Sequence, residues 1–143
     1  MNRTYINNKK NQIQWCCIDA QNQTLGRLST IIANNLKNKY STDYTPFQTN
    51  KIYIIVINAA DIKVSGNKKN NKIYYRHSGK PGSLRTETFS QLQQRIPTRI
   101  IERAVKGMLP KNALGRKLFT HLKVYAGSYH PHKAQKPILL KIK

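Results

Sequence analysis

The chain has 143 residues, 38% of them apolar, and sets 26 Lys and Arg against five Asp and Glu for a formal charge of +21. That length suits one domain with a modest core, stable without a metal or disulfide. The charge makes a compact fold repel itself, so a polyanionic partner, nucleic acid above all, is expected, while five carboxylates leave little material for acid–base catalysis.

Residues 1–13 read as a polar, basic arm without the hydrophobic stretch of a signal peptide. Gln14 to Asp19 is predicted to be a strand. It contains Cys16 and Cys17, which as strand neighbours point to opposite faces and are expected as buried apolar side chains, not a metal pair or a disulfide. Thr24 is placed to cap a helix whose Leu25, Leu28, Ile31, Ile32 and Leu36 fall on one face, with Lys37 and Lys39 at its C-terminal dipole. A loop from Tyr40 to Asn50 follows. Ile52 to Ile57 is a short, continuous apolar run rich in β-branched residues, of the kind found in strands buried on both faces, so strand, helix and strand together predict a parallel βαβ unit.

Ile62 to Ser65 and Lys72 to Arg76 are two short extended segments, and the basic turn from Gly66 to Asn71 between them favours a hairpin. His77 to Thr86 reads as a glycine-containing loop. Phe89, Leu92 and Ile96 mark a helix from Thr88, and Pro97 opens another whose stripe is Ile100, Ile101, Ala104, Val105, Met108 and Leu109. Asn112 caps a further helix with Leu114, Leu118, Phe119 and Leu122, and Val124 to Ala126 forms a last strand. Residues 14–126 are thus expected as the core, and residues 127–143 as an extended basic tail within the same single domain. No apolar run approaches the length of a membrane span.

Catalytic signatures are missing where such a fold would want them. Asp19, Asp43, Asp61, Glu87 and Glu102 are scattered, and there is neither a phosphate-binding P-loop nor a dinucleotide glycine motif. His130 and His132 could hold a metal, but they lack Cys or carboxylate partners nearby. We therefore expect no catalytic residue, no cofactor, no metal and no small-molecule substrate. A nucleotide-using α/β enzyme remains the competing class, since this fold class hosts many, and peripheral membrane binding would need an anchor the sequence does not show.

Features that suit irregular RNA recur instead. In the segment Lys72 to Gly82, Lys72, Arg76 and Lys80 can meet phosphates, and Tyr75 and His77 offer rings for unpaired bases. One of Tyr74 and Tyr75 is expected inward and the other outward. Arg27, Lys68, Lys69 and Arg85 are further candidates. On the helix after Pro97, Arg99, Arg103 and Lys106 oppose the apolar stripe. From Arg103 onward no carboxylate occurs, and Lys111, Arg116, Lys117, Lys123, Lys133 and Lys136 are interleaved with Tyr129, His130 and His132.

A set of segments in fixed order carries more than chemistry. They include Trp15 to Ala20, Leu25-Gly26-Arg27-Leu28, Tyr44-Thr45-Pro46, Ile57-Asn58-Ala59, Lys72 to Gly79, Ala104 to Lys111, Leu114-Gly115-Arg116, Leu122 to Gly127 and His130 to Gln135. Through them the chain resembles, from about Arg3 to Pro137, the universal large-subunit ribosomal protein number thirteen in its bacterial and plastid form. The resemblance implies a three-layer α/β/α fold with a four-stranded, mostly parallel sheet. It implies a structural, non-enzymatic constituent of the large subunit that binds large-subunit ribosomal RNA, supports early assembly and translation, and adjoins neighbouring large-subunit ribosomal proteins. Lys80 and Arg95-Ile96-Pro97 resemble cyanobacterial and plastid members, which implies the plastid (chloroplast) stroma, with the bacterial cytoplasm as the alternative. Asn50-Lys51, in place of the Gly-Asp of many members, and Ser83, in place of a Gly, depart from the family pattern.

Overall fold

A computed structural model of the chain describes residues 13–42 and 44–140. The expected N-terminal arm as far as residue 12, Asp43 and the last three residues lie outside the described residues.

The predicted βαβ unit is present. Strand β1 (Gln14–Asp19), helix α1 (Leu25–Leu36) and strand β2 (Ile52–Ile57) form it, with β1 parallel to β2 from Gln14 opposite Ile52 to Asp19 opposite Ile57. Ile54, Ile55 and Val56 are buried in succession, so the centre of β2 is covered on both faces, as its unbroken apolar run requires. Strand β5 (Leu122–Val124) joins β2, and β6 (Ile138–Leu139) joins β1, giving a four-stranded all-parallel sheet in the order β5-β2-β1-β6. The expected last strand from Val124 to Ala126 begins two residues earlier, because the backbone beyond Val124 turns to serve Asn58, Ala59 and Ala60.

Between β2 and β5 the chain leaves the sheet for a helical turn α2 (Lys68–Asn71), an antiparallel pair β3 (Ile73–Arg76) and β4 (Arg85–Thr88), and helices α3 (Phe89–Arg95), α4 (Thr98–Met108) and α5 (Ala113–Thr120). Here the expected hairpin is corrected. Strand β3 pairs with β4, part of which lay in the segment read as loop, and not with Ile62 to Ser65. The backbone of Lys63 is already engaged: its N–H donates to Gln23 and its carbonyl accepts from Leu25 at the start of α1. The basic turn meanwhile closes a helical turn, the Lys72 N–H donating to Lys68. Gly79 and Gly82, at φ +91° and +71°, let the connection between β3 and β4 reverse.

A side-chain cap marks two of the five described α-helix starts. Thr88 forms a full capping box with Gln91, and the Asn112 side chain accepts from the Gly115 N–H at 2.8 Å. The Thr24 side chain makes no such bond; the Leu25 N–H is taken by Lys63 instead. Lys37 lies just past α1 and its Nζ donates to the carbonyl of Met108, the last residue of α4, so its charge serves the C-terminus of a different helix. Asn50 is buried and donates to the Lys37 carbonyl, which gives this departure from the family pattern a structural task.

One face of the sheet, carrying Ile18, Ile54, Val56 and Leu122, packs with Leu28, Ile32 and Leu36 of α1 and Ile100, Ile101 and Val105 of α4 into the main core. Met108 ends that stripe but is exposed. Gly115 is required where it stands, since a Cβ there would meet the Pro110 carbonyl oxygen at 1.8 Å.

The other face carries Trp15, Cys17, Tyr53 and Ile55. Strands β5 and β6 lie at opposite edges, so the segment joining them must cross this face. It does so through a 3-10 turn, His132–Gln135, that lays the His132 ring 5.0 Å from Trp15. The sheet therefore has helical elements on both faces, an α/β fold. Its fourth strand comes from the segment read as a tail. Both cysteines are buried, as expected, and burial pushes both thiols above their ordinary range.

Candidate nucleic-acid interface

Five depressions on the surface share lining residues and so form one track. A groove of about 620 Å³ lies between the start of α1 and α4, with Arg27, Lys68, Lys72 and Arg103 around a floor that includes Val64, Ala104 and Met108. Through Tyr74 and Arg103 it passes to a cavity of about 280 Å³ walled by Arg76, Arg85, Arg95, Arg99 and Arg103. Arg76 and Arg85 also line the recess under the β3–β4 connection. In the other direction Arg99 and Arg103 lead past Lys106 and Phe119 to a hollow bounded by Lys111, Gly115 and Arg116. Ten of the predicted contact residues thus fall on one surface, and the carboxylates among its lining are Glu87 and Glu102.

The local fold explains the convergence. Strands β3 and β4 place Arg76 directly opposite Arg85. Arg99 and Arg103 lie one turn apart on α4, one above the other, and Arg95, the last residue of α3, joins them across the break at Ile96 and Pro97. Tyr74 is half-buried against the core while Tyr75 is 61% exposed, the alternation expected of strand neighbours. The Tyr74 ring already carries Lys72 Nζ at 5.3 Å and Arg103 Cζ at 5.4 Å, so it organises cations and leaves stacking to Tyr75. Burial raises the Tyr74 hydroxyl above its ordinary value, against the pull of Arg103. Lys106 Nζ lies 5.9 Å from the Phe119 ring in the same manner.

His77 and Lys80 stand exposed at the tip of the β3–β4 connection, and His77 Nδ1 accepts the Gly79 N–H at 2.9 Å. Ser83 Oγ accepts the Ser78 N–H across the same connection, so the serine that departs from the family pattern braces the loop. Lys69 and Lys117 are exposed but line none of these hollows.

The remaining candidates lie apart. Lys123, Tyr129, His130, His132, Lys133 and Lys136 belong to β5 and the segment crossing the second face. His132 is engaged internally, with Nε2 2.8 Å from the Tyr125 hydroxyl and its ring beside Trp15. Desolvation first, then His130 and Lys123, hold it below the ordinary imidazole range. Tyr129 is 75% exposed with Lys133 Nζ 5.9 Å from its ring, an arrangement open to a partner.

Arg95 escaped the sequence reading although it walls the densest part of the track. Helical spacing could not have grouped it with Arg99 and Arg103, because the chain breaks at Ile96 and Pro97 and a separate helix begins at Thr98. Glu87 was also missed in this role: both of its carboxylate oxygens accept from Arg95 Nη2 at 2.7 Å, and that hydrogen bond holds its carboxyl below the ordinary range. Among the described residues no group of His, Cys, Asp and Glu could hold a metal ion, and no helix is long and apolar enough to cross a membrane.

Comparison with known proteins agrees with the resemblance noted above. The family model described as Ribosomal protein L13 matches residues 13–131. Large ribosomal subunit protein uL13c of Pyropia yezoensis is 59% identical over 137 residues, 96% of each chain. Its counterpart from Porphyra purpurea is 56% identical over the same share. Large ribosomal subunit protein uL13 of Acaryochloris marina is 60% identical over 129 residues, 90% of this chain and 85% of the relative. With its sheet, its helices and nearly its whole length matched, this chain belongs to the ribosomal protein L13 family.

Proposed function

We propose that the chain is a structural, non-catalytic constituent of the large ribosomal subunit that binds large-subunit ribosomal RNA and supports subunit assembly. The observation that carries this is the cationic track from Arg27 through Arg103 to Arg116, whose neighbouring hollows share residues and admit two carboxylates. Phosphates are the partner that relieves such a field, and counterion release is the driving force. Shallow, irregular hollows, with Tyr75 exposed on the opposite side of the same β3–β4 ribbon, suit folded RNA with unstacked bases better than a regular duplex. The exposed Ile138 and Leu139 at the sheet edge are a surface for a neighbouring large-subunit protein. The likeness to red algal and cyanobacterial large-subunit proteins supports a plastid ribosome in the stroma, with a bacterial ribosome as the alternative.

The test is sedimentation of a native extract with and without ribonuclease, followed by detection of this chain. Co-migration with large subunits, abolished by ribonuclease, is expected. A position at the top of the gradient in both conditions would remove the reading.

A further inference from the structure

The cavity walled by Arg76, Arg85, Arg95, Arg99 and Arg103 is costly in the free protein. Arg76 and Arg85 face each other directly across the antiparallel pair, a position where like charges destabilise. Arg99 and Arg103 are four residues apart on α4, where like charges again oppose folding. Five guanidiniums less the carboxylate of Glu87 leave a charge of +4 around about 280 Å³, the liquid volume of roughly nine waters. A lone singly charged anion would leave most of that charge uncompensated. The walls also offer no platform for a base, because Tyr74, the aromatic residue there, is committed to Lys72 and Arg103.

We infer that this arginine cup is a discrete site for clustered phosphates, and that Glu87 is its built-in placeholder anion. Guanidiniums bind phosphate oxygens in pairs, and several phosphates within one small cavity match the several forks that line it. In the free protein the Glu87 carboxylate occupies Arg95 through two 2.7 Å contacts; an incoming phosphate must take that place. The ligand chemistry is a closely spaced set of phosphates, supplied either by a sharply bent RNA backbone or by a free oligophosphate. The RNA source rests on the function proposed above; the cup itself does not.

The full chain should be titrated with inorganic tripolyphosphate, and with orthophosphate at equal ionic strength, beside a transcript of large-subunit ribosomal RNA. Tripolyphosphate should bind the native protein more tightly than orthophosphate. Arg85→Thr should raise the melting temperature of the free protein, by removing the cross-strand repulsion, yet weaken tripolyphosphate binding about tenfold, the scale of one charge-assisted contact. Glu87→Gln should strengthen it by a similar factor, and Lys39→Gln, away from the cup, should change nothing. Equal tripolyphosphate binding by native and Arg85→Thr proteins, a lower melting temperature for Arg85→Thr, or weaker binding by Glu87→Gln would each overturn the inference. If Arg85→Thr also flattens the salt dependence of RNA binding, the phosphates are those of RNA; if only tripolyphosphate binding is lost, they are free. A native protein that binds tripolyphosphate but no RNA would end the ribosomal RNA reading and leave the cup standing.

Discussion

The two sides of the sheet are built on opposite principles. On the side of α4 and the β3–β4 pair, guanidiniums and ammonium groups crowd one another with two carboxylates between them, and a few side chains, Tyr74, Phe119 and Glu87, steady only some of them. On the other side, rings hold rings. Trp15 stacks on Tyr53 at 4.5 Å and 13°, His132 covers Trp15, His121 lies 4.5 Å from Tyr53, and β6 closes the edge beside β1. The first surface sets like charges side by side at the expense of stability, and the function proposed above supplies the partner that would relieve it. The second contributes stability, and its ring packing is complete without a partner, although Ile138, Leu139 and Tyr129 remain exposed at its margin. Basic stretches of the sequence therefore mark two different things: Arg99 belongs to the crowded cationic track, whereas His132, thirty-odd residues on in an equally basic stretch, is part of the packing.

The largest expected effect breaks the second surface. Ending the chain after Gly127 removes the crossing segment and β6, leaves β1 as an edge and uncovers Trp15 and Cys17. Stability should fall by about 3 kcal/mol or more, the scale of emptying one large packed position, and the Cys17 thiol should become reactive toward a thiol reagent. Unchanged urea unfolding with a still-protected thiol would show that the segment only rests on the sheet and would dissolve the contrast drawn here.

That contrast was half legible in the sequence. The βαβ unit followed from periodicity, because a continuous apolar run rich in β-branched residues at Ile52 to Ile57 beside an amphipathic helix has few other solutions. The Asn112 helix start followed from its capping side chain and the Thr88 start from apolar spacing, whereas Thr24 begins α1 without the expected cap. The β3–β4 pairing was hidden, since Arg85 to Thr88 has no apolar alternation, and a two-stranded ribbon on the surface needs none. The fourth strand was hidden as well: two residues, Ile138 and Leu139, give no period, and their place beside Cys16 and Cys17 is set by how far the chain must travel across the sheet. For the site, the residue types were legible and their grouping was not. Arg27, Lys72 and Arg103 are remote in sequence and meet because α1 and α4 pack side by side.

A middle-sized effect sharpens the first surface. Replacing Arg27 and Lys72 together with Gln removes two cations from the 620 Å³ groove while leaving α1 and the core untouched. The slope of log K against log salt for RNA binding should become shallower by about 1.4 to 1.8, since each phosphate neutralised contributes about 0.7 to 0.9. The melting temperature of the free protein should hold or rise. An unaltered slope would place those two residues outside the contact.

The smallest expected effect is a pH dependence that belongs to the ring-packed side alone. His121 is buried against Tyr53, and desolvation, its first cause, holds its imidazole below the ordinary value near 6.5 despite a backbone hydrogen bond at Ile52 that acts the other way; Lys117 and Lys123 lower it further. His132 is shifted in the same direction. Both groups are therefore neutral in the fold under conditions where the unfolded chain takes up protons. Their contribution is fully present above pH 6.5 and declines as the pH falls from there through the lowered folded-state values. Glu87, whose carboxyl is held low by Arg95, keeps its charge over that range and adds no slope of its own. Melting followed from pH 7.5 to 5.5 should show a modest loss of stability that His121→Gln reduces. The affinity of the cationic track for RNA should not share that loss, because no histidine lines its hollows. If RNA binding and folding stability moved together over this interval, the two surfaces would be coupled through the sheet instead of standing back to back across it.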